Sequence, residues 1–203
     1  MKTLILARHA HAESNADAVV SSTPPGGALS ESGRDEARLL GSLLAPDSID
    51  IGFSSRLLRT QQTLDLALAA RSVARLVEPL LDEIGFGAFD GGSLAAYRQW
   101  AWENEPDAPC PGGGESRTGA ALRFARALSA ILARPEQTVL VVSHALPIRY
   151  VLDASDGRFP AARLEQVPHA TPFRLEVDAV RLAAETLRVW ADAPRFADTP
   201  FGG

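Results

Sequence analysis

Two short apolar segments of this chain each end in a histidine, and this pairing constrains the fold more than any other feature. One segment reads LILARH and ends at His9, and the other reads VLVVSH and ends at His144. Continuous apolar runs of this length are typical of parallel strands that are buried on both faces. Ligands of such sheets bind beyond the carboxyl ends of the strands. If the two strands are neighbours, His9 and His144 meet at that edge.

The rest of the chain alternates strand patterns with amphipathic helix patterns. Strands are predicted over 3–7, 49–55, 73–79 and 138–144, and helices over 28–45, 56–70, 94–104, 116–134 and 145–152. Two closing segments, 171–178 and 186–192, have the pattern of an antiparallel pair of strands. This order predicts an α/β fold, a three-layer α/β/α sandwich with a largely parallel central sheet. Ser30 or Ser32 is expected to cap helix 28–45, and Ser116 helix 116–134.

A length of 203 residues suits one domain, so we expect a single domain over 1–203. Within it, segment 81–114 is irregular and rich in Gly, Pro and aromatic residues, which favours a cap that sets specificity. The sequence leaves open whether the chain forms a homodimer.

Composition excludes several classes of partner and location. The formal net charge of −5 argues against nucleic acid as a partner. Cys110 is the only cysteine, so no internal disulfide can form. The apolar stretch after Lys2 is too short for a signal peptide, and no run approaches the roughly 18 residues of a membrane span. We therefore expect a cytoplasmic protein that does not bind a membrane.

Positively charged side chains and N–H donors are predicted around the two histidines. Arg8 precedes the first histidine, and Arg56 and Arg59 begin the helix that follows the second predicted strand. Ala145 begins another predicted helix at the same edge. Its backbone N–H can bind an anion, because helix N-termini attract negative charge. The oxygens of a phosphoryl group match the planar fork of arginine, so the predicted ligand is a phosphate ester.

The order of the motifs resembles the histidine phosphatase superfamily, also called the phosphoglycerate mutase-like family. The motifs are RHAHAESN, LSESGRDEA, SSRLLRTQQT, DEIGFGAFDG, PGGGES and VSHALPIR, and the match runs from Leu4 to about Leu152. The resemblance implies a phosphoglycerate mutase-like three-layer α/β/α fold and a phosphohistidine mechanism. It further implies that His9 is the nucleophile and that Glu83 is the proton donor. The phosphate ligands that it implies are Arg8, Asn15, Arg59 and His144.

The sequence departs from the pattern of that family at three positions. Ala10 and Ala145 stand where the family has a glycine after each histidine. Since glycine permits a positive φ, alanine fits only if φ is ordinary there. His11 stands where the family often has an acidic or amide residue, which bears on substrate choice.

The chemistry of these side chains agrees with the resemblance. A neutral His9 can attack phosphorus in line, and neighbouring cations disfavour its protonated form. Glu83 precedes the apolar stretch Gly85–Gly87, where a raised pKa would suit a general acid. Arginine supplies the positive charge, so no metal and no cofactor are required. We predict a metal-independent phosphatase that hydrolyses small phosphomonoesters through a phosphohistidine on His9.

Other interpretations remain open at this point. The HAH motif, with His144 and His169, could supply metal ligands, although 203 residues are short for an eight-fold barrel. A phosphoglycerate mutase-type phosphotransferase would need a basic cap, and the segment between Glu83 and Gly112 has one basic residue, Arg98. A non-catalytic module that binds a phospho-ligand is the third alternative. We expect His11 and His169 at the rim of the pocket or on the surface.

Overall fold

The computed structural model describes residues 1–197 and consists of one sheet with helices on both faces. The strands are β1 (Thr3–Arg8), β2 (Ile51–Ser54), β3 (Ala74–Val77), β4 (Thr138–Ser143) and β5 (Pro172–Glu176). The α-helices are α1 (Glu13–Ala16), α2 (Glu31–Leu43), α3 (Leu58–Ala67), α4 (Leu94–Glu103), α5 (Arg117–Leu132), α6 (Ala145–Ser155) and α7 (Val177–Asp192). Residues 198–203 of the predicted domain lie outside the described residues.

The sheet is largely parallel, as the sequence pattern predicts. Its strand order is β3-β2-β4-β1-β5, and only β5 runs antiparallel to its neighbour, β1. Strands β1 and β4 pair in register, with Arg8 opposite Ser143. The residues that follow these two, His9 and His144, therefore leave the sheet side by side.

Alternate residues of the central strands supply two separate cores. Leu4, Leu6, Val139 and Val141 pack into the core that α5, α6 and α7 cover. Ile5, Ala7, Leu140 and Val142 pack into the core under α2 and α3. Because both faces are covered, the three-layer α/β/α prediction is confirmed, and the continuous apolar runs are explained.

The prediction of a last strand over 186–192 is wrong, because this segment belongs to α7. Strand β5 pairs with β1 instead of with the segment that follows it. The buried residues of α7 recur at helical spacing, and they include Val180, Ala183, Leu187 and Trp190. Seven residues alone are too few to show this period, whereas the whole span 177–192 shows it.

Two serine caps fix the starts of the helices next to the site. Ser30, rather than Ser32, caps α2 by accepting a hydrogen bond from the backbone N–H of Gly33, 3.1 Å away. Ser116 caps α5, as predicted. A Cβ on Gly33 would lie 1.9 Å from the carbonyl oxygen of His11. Only glycine allows α2 to approach the loop after β1 so closely.

The predicted cap segment 81–114 contains helix α4 and a short 3₁₀ turn at Gly87–Phe89, and another 3₁₀ turn at Pro79–Leu81 leads into it. It joins the body of the protein through backbone hydrogen bonds, including those between Val20 and Gly92 at 2.9 Å and between Gly85 and Glu115 at 2.8 Å. Within residues 1–197, no helix has the length and the apolar character of a membrane span.

Candidate active site

His9 and His144 lie together at the carboxyl edge of the sheet. Their ring centroids are 5.3 Å apart and their planes are inclined by 59°. Both residues are buried, with 3% and 0% of their surface exposed. Strands distant in sequence thus place two imidazoles in one enclosed site, as the strand-end pattern predicts.

Arg59, in the first turn of α3, connects the two imidazole rings. Its Nε donates to Nε2 of His9 at 3.1 Å, and its Nη2 lies 3.3 Å from Nδ1 of His144. Nη2 also donates to the carbonyl oxygen of Ser21 at 2.8 Å. The buried Nη1 has no hydrogen-bond partner within the described part of the chain. A guanidinium N–H is therefore available to an anion beside both histidines.

The hydrogen bonds of His9 define its tautomer. Nδ1–H donates to the carbonyl oxygen of Ala10 at 2.8 Å, which leaves the lone pair on Nε2. Burial lowers the pKa of His9 well below its ordinary value, and the charges of Arg59 and Arg8 lower it further. His9 is therefore a neutral base at neutral pH, with Nε2 as its nucleophilic atom.

His144 is held in a similar state from the opposite side. Its Nε2 lies 2.9 Å from Oγ of Ser55, which in turn lies 2.8 Å from Oγ1 of Thr60. Burial, followed by the charges of Arg59 and His9, lowers the pKa of His144 well below its ordinary value. The hydroxyl pair fixes the ring orientation, a role that no sequence motif indicates.

Arg8 adds a second guanidinium next to His9. Its Nη1 donates to the carbonyl oxygen of Val167 at 2.8 Å, and its buried Nε has no partner among residues 1–197. Burial lowers the pKa of Arg8 to about 10, although the charge of Glu83 opposes this shift. Arg8 therefore keeps its charge at neutral pH and has a donor to offer.

Glu83 approaches the same pair of rings from the loop after the first 3₁₀ turn. Its Oε2 lies 3.9 Å from Nδ1 of His144, and its Oε1 accepts the backbone N–H of Ile84 at 3.0 Å. Burial raises the pKa of Glu83, and Arg59 partly opposes this rise. A carboxyl group in this environment holds its proton more tightly than one in water.

Arg123 fixes the Glu83 loop, a role that was not predicted from the sequence. From α5 it donates to the carbonyl oxygens of Leu80 and Asp82 at 2.9 Å each and to that of Glu83 at 3.2 Å. Its guanidinium also forms a salt bridge of 2.8 Å with Glu115. The available signal was a glutamate placed just before the predicted helix and an arginine eight positions later on it.

Asn15 and Ala145 complete the lining of the site. Oδ1 of Asn15 accepts the backbone N–H of Ala12 at 2.9 Å, which leaves the amide nitrogen to donate. Ala145 is the first residue of α6. Neither Ala10 nor Ala145 has a positive φ, so each methyl group suits its backbone and no glycine is required there.

The remaining candidates take structural positions. His169 lies 5.4 Å from His9 between ring centroids, and its Nδ1–H donates to the carbonyl oxygen of His9 at 2.7 Å. Nδ1 of His11 lies 3.0 Å from Oγ of Ser30. Arg56 forms a salt bridge of 2.6 Å with Asp82, and 54% of its side chain is exposed. None of these three side chains lines the cavity.

The side chains present do not fit a metal site. A guanidinium N–H is directed at Nε2 of His9, where a metal ion would need the lone pair. Among residues 1–197, no three His, Cys, Asp or Glu residues are grouped as metal ligands. The geometry instead suits an anion, because buried N–H donors surround a neutral imidazole.

A cavity of about 450 Å³ opens from His9 toward the cap segment. Its inner end is lined by Arg8, His9, Asn15, Arg59, Glu83 and Ala145. Its outer wall includes side chains of α4, the start of α5 and residues 162–167. A small molecule can therefore reach His9 with one end and contact the cap with the other.

Three comparisons connect this site with known proteins. Residues 4–189 match the family described as Histidine phosphatase superfamily (branch 1). The 2,3-bisphosphoglycerate-dependent phosphoglycerate mutase of Rhizobium etli is 34% identical over 73% of this chain and 78% of that protein. Phosphoserine phosphatase 1 of Hydrogenobacter thermophilus is 32% identical over 73% of this chain and 74% of that protein. The structure of the alpha-ribazole phosphatase from Shigella flexneri has a TM-score of 0.73 at 25% identity, covering 85% of this chain and 89% of that one.

Sequence and fold lead to the same assignment. The matched range includes both strand-end histidines, Arg59 and Glu83. The relatives are named as both mutases and phosphatases, which supports an enzyme of one of these two kinds. The chain belongs to the histidine phosphatase superfamily.

Proposed function

We propose that this protein hydrolyses small phosphomonoesters through a phosphohistidine on His9, without a metal ion. The observation that carries the proposal is the geometry at Nε2 of His9. This atom is the lone-pair nitrogen of a buried neutral imidazole, and two arginines with unpartnered buried nitrogens lie beside it. Phosphoryl transfer depends mainly on positioning and on stabilisation of charge, and these groups supply both.

The phosphoryl oxygens would take the donors that lack partners. Nη1 of Arg59 and Nε of Arg8 are such donors, and the amide of Asn15 and the backbone N–H of Ala145 line the same end of the cavity. The oxygens of an entering dianion are also better acceptors for Arg59 than Nε2 of His9 is. When Arg59 donates to them, the lone pair on Nε2 of His9 becomes free. Beside a dianion, a proton on His144 becomes favourable, so His144 can donate as well.

In the first step, Nε2 of His9 attacks phosphorus, and the bond from phosphorus to the ester oxygen breaks. The electron pair of that bond leaves with the oxygen, and Glu83 donates its proton to it. The product alcohol is thus released neutral. The raised pKa of Glu83 supports this role, because a carboxyl group that holds its proton more tightly than one in water is better suited to act as a general acid.

In the second step, the ionised Glu83 takes a proton from water as the water oxygen attacks phosphorus. The N–P bond of the phosphohistidine breaks, and its electron pair returns to Nε2 of His9. Inorganic phosphate forms, and Glu83 is protonated again. Arg8 and Arg59 stabilise the charge on the phosphoryl oxygens in both steps.

A phosphotransferase of the mutase kind is the second candidate, supported by the relative from Rhizobium etli. It would share the first step and differ only in the acceptor, which would be a hydroxyl group of the bound organic molecule. Release of inorganic phosphate compared with isomerisation of phosphoglycerate separates the two reactions. A non-catalytic binding module would give neither product.

The test is to isolate the covalent intermediate. The protein is mixed with 4-nitrophenyl phosphate, quenched in alkali, digested and analysed by mass spectrometry, with phosphate release measured with and without EDTA. We expect an acid-labile phosphoryl group on His9 and turnover that EDTA does not change. His9→Ala should abolish both signals. The matched control His11→Gln removes a neighbouring imidazole that does not line the cavity, and it should keep both. Normal turnover in His9→Ala would refute the proposal.

A further inference from the structure

We propose that the cavity contains a second anion-binding seat, formed by Arg117 and Tyr97, which takes an oxyanion on the alcohol half of the substrate, in the first instance a carboxylate. We call it the Arg117 seat. The proposal rests on the proposed function, since the phosphate end of the ligand is assumed to lie at His9. It goes further by naming a chemical group that the organic half must carry.

Arg117 is a buried cation without a counter-ion. It is 6% exposed and lies at the first position of α5. Its Nη1 donates to the carbonyl oxygen of Ala162 at 2.8 Å, whereas its buried Nε has no partner. No carboxylate of residues 1–197 forms a salt bridge with it. A charge buried in this way is costly unless an anion pairs with it, and a ligand can supply that anion.

Two phenol groups beside Arg117 lack an acceptor for their protons. The hydroxyl oxygens of Tyr97 and Tyr150 are buried and lie within reach of the N–H groups of Arg117, but neither O–H has an acceptor within the described residues. Burial raises the pKa of both phenols, that of Tyr150 to about 12, and the charge of Arg117 opposes the rise in each. The guanidinium therefore lies close to both rings. Tyr97 lines the cavity together with Arg117, so its O–H can donate to the same ligand.

The Arg117 seat is separate from the donors around His9. The guanidinium groups that lower the pKa of His9 are those of Arg59 and Arg8. Arg117 and Tyr97 belong to α5 and α4, whereas Arg8 ends β1 and Arg59 lies in the first turn of α3. One cavity thus has unpartnered donors in two places, and a ligand that reaches both needs an acceptor at each end.

The rest of the outer wall favours a negative group as well. Arg98 and Arg163 line it, and the Arg163 guanidinium lies 4.8 Å from the ring centroid of Trp102. Glu165 is the acidic residue of this wall, and Arg149 binds it at 3.1 Å. The wall therefore has a positive potential, which attracts anionic ligands.

An oxyanion suits the orientation of Arg117. Because Nη1 is occupied by a carbonyl, the guanidinium has Nε left to offer, and the fork of Nε and Nη2 matches the two oxygens of a carboxylate. A second phosphate shares this chemistry. The experiment below therefore contains one series for each source of the oxyanion.

The test uses ligands that cannot be hydrolysed, so it does not depend on catalysis. Isothermal titration calorimetry compares ω-phosphonocarboxylates of increasing chain length with their carboxamides and with the matching bisphosphonates. At the chain length that spans the cavity, we expect the wild type to bind the carboxylate about 10- to 100-fold more tightly than the carboxamide. Tighter binding of the bisphosphonate than of the carboxylate would assign the seat to a second phosphate.

Arg117→Gln and Tyr97→Phe should each reduce this preference, Arg117→Gln to near unity. The matched control Arg126→Gln removes an exposed arginine of α5 and should keep it. Affinity for methylphosphonate, which occupies only the phosphate end, should stay the same in all variants and shows that they are folded. If carboxylate, bisphosphonate and carboxamide bind equally at every length, or if Arg117→Gln keeps the preference, the Arg117 seat is refuted. If the wild type does not bind methylphosphonate, the proposed function is refuted instead.

Discussion

Burial shifts the pKa values of the two reacting groups of the site in opposite directions. It lowers the pKa of His9 and raises that of Glu83, because burial disfavours the charged form of each. The two shifts therefore favour an uncharged imidazole and extend the pH range over which the carboxyl group beside it keeps its proton. A nucleophile and a proton donor can therefore coexist in one site, which the proposed reaction requires.

Replacement of Glu83 should have an effect that depends on the leaving group. We expect Glu83→Gln to lower kcat for alkyl phosphates about 10²- to 10⁴-fold, because the departing alkoxide loses its proton donor. The loss in the first step should be smaller for 4-nitrophenyl phosphate, whose phenolate leaves without help. Stopped-flow measurement of the first turnover on both substrates checks this.

The pH profile gives a second readout of the same variant. In the wild type, the rate of the first step on alkyl phosphates should fall as pH rises through the raised pKa of Glu83, because the acid form is lost. Glu83→Gln should lack this decrease. Glu105→Gln, at an exposed position of the cap, serves as the control. Equal losses on alkyl and aryl esters would argue against a proton donor at this position.

Residues that follow a strand or begin a helix were predictable one by one. His9, Arg8, His144 and Arg59 could be found because strand ends and helix starts converge at one edge of a parallel sheet. Arg117 was not predicted as part of the site. Its guanidinium is held by the carbonyl oxygen of Ala162, which lies 45 residues away, and such a separation leaves no local pattern.

At the scale of elements, sequence patterns predicted whether a segment is a helix or a strand better than they predicted which strand it pairs with. The central strands and α2, α3, α5 and α6 lie where the apolar patterns place them. The end of the chain differs, because the segment after β5 continues as α7. A window as short as 186–192 does not distinguish the strand period from the helix period, and the pairing of β5 with β1 could not be read from either segment.

Arg123 is a positioning residue that acts from helix α5 on the loop of Glu83. Arg123→Lys loses the planar fork that holds the carbonyl oxygens of residues 80, 82 and 83. We expect kcat to fall roughly 10- to 100-fold while KM changes less, because the proton donor is displaced and the phosphate donors are not. Steady-state kinetics with an alkyl phosphate measures both constants.

A purely structural role would not alter proton donation. In Arg123→Lys, the alkaline decrease in rate should shift along the pH axis, because the environment of Glu83 changes. Arg126→Lys, exposed on the same helix, should match the wild type in kcat and in pH profile. A lower melting temperature with unchanged kcat and pH profile would assign Arg123 to stability alone.

The whole molecule should respond to acid through its buried imidazoles. The pKa values of His9 and His144 are lowered in the folded state, so between those values and about 6.5 the unfolded chain binds more protons. Stability therefore rises with pH in this window and is lost as pH falls. The slope is at most about 1.4 kcal/mol per pH unit for each histidine.

Other groups of the site modify this dependence in known directions. His169, whose pKa is also lowered, adds to the slope, whereas the raised pKa of Glu83 opposes it. Urea unfolding between pH 5 and 7 should show the free energy of unfolding decreasing toward acid, more steeply in Glu83→Gln. A flat profile in both proteins would contradict the lowered pKa values.

The in-register pairing of β1 with β4 has a consequence for which changes of chain length this protein can accept. Both histidines owe their proximity to Arg8 standing opposite Ser143. One residue inserted into or deleted from either strand would turn every following side chain to the other face of the sheet. Such a change would move the side chains of that strand from each core into the other. It would at the same time separate the two imidazoles. Variation in length is therefore expected in the exposed loops and not in these two strands.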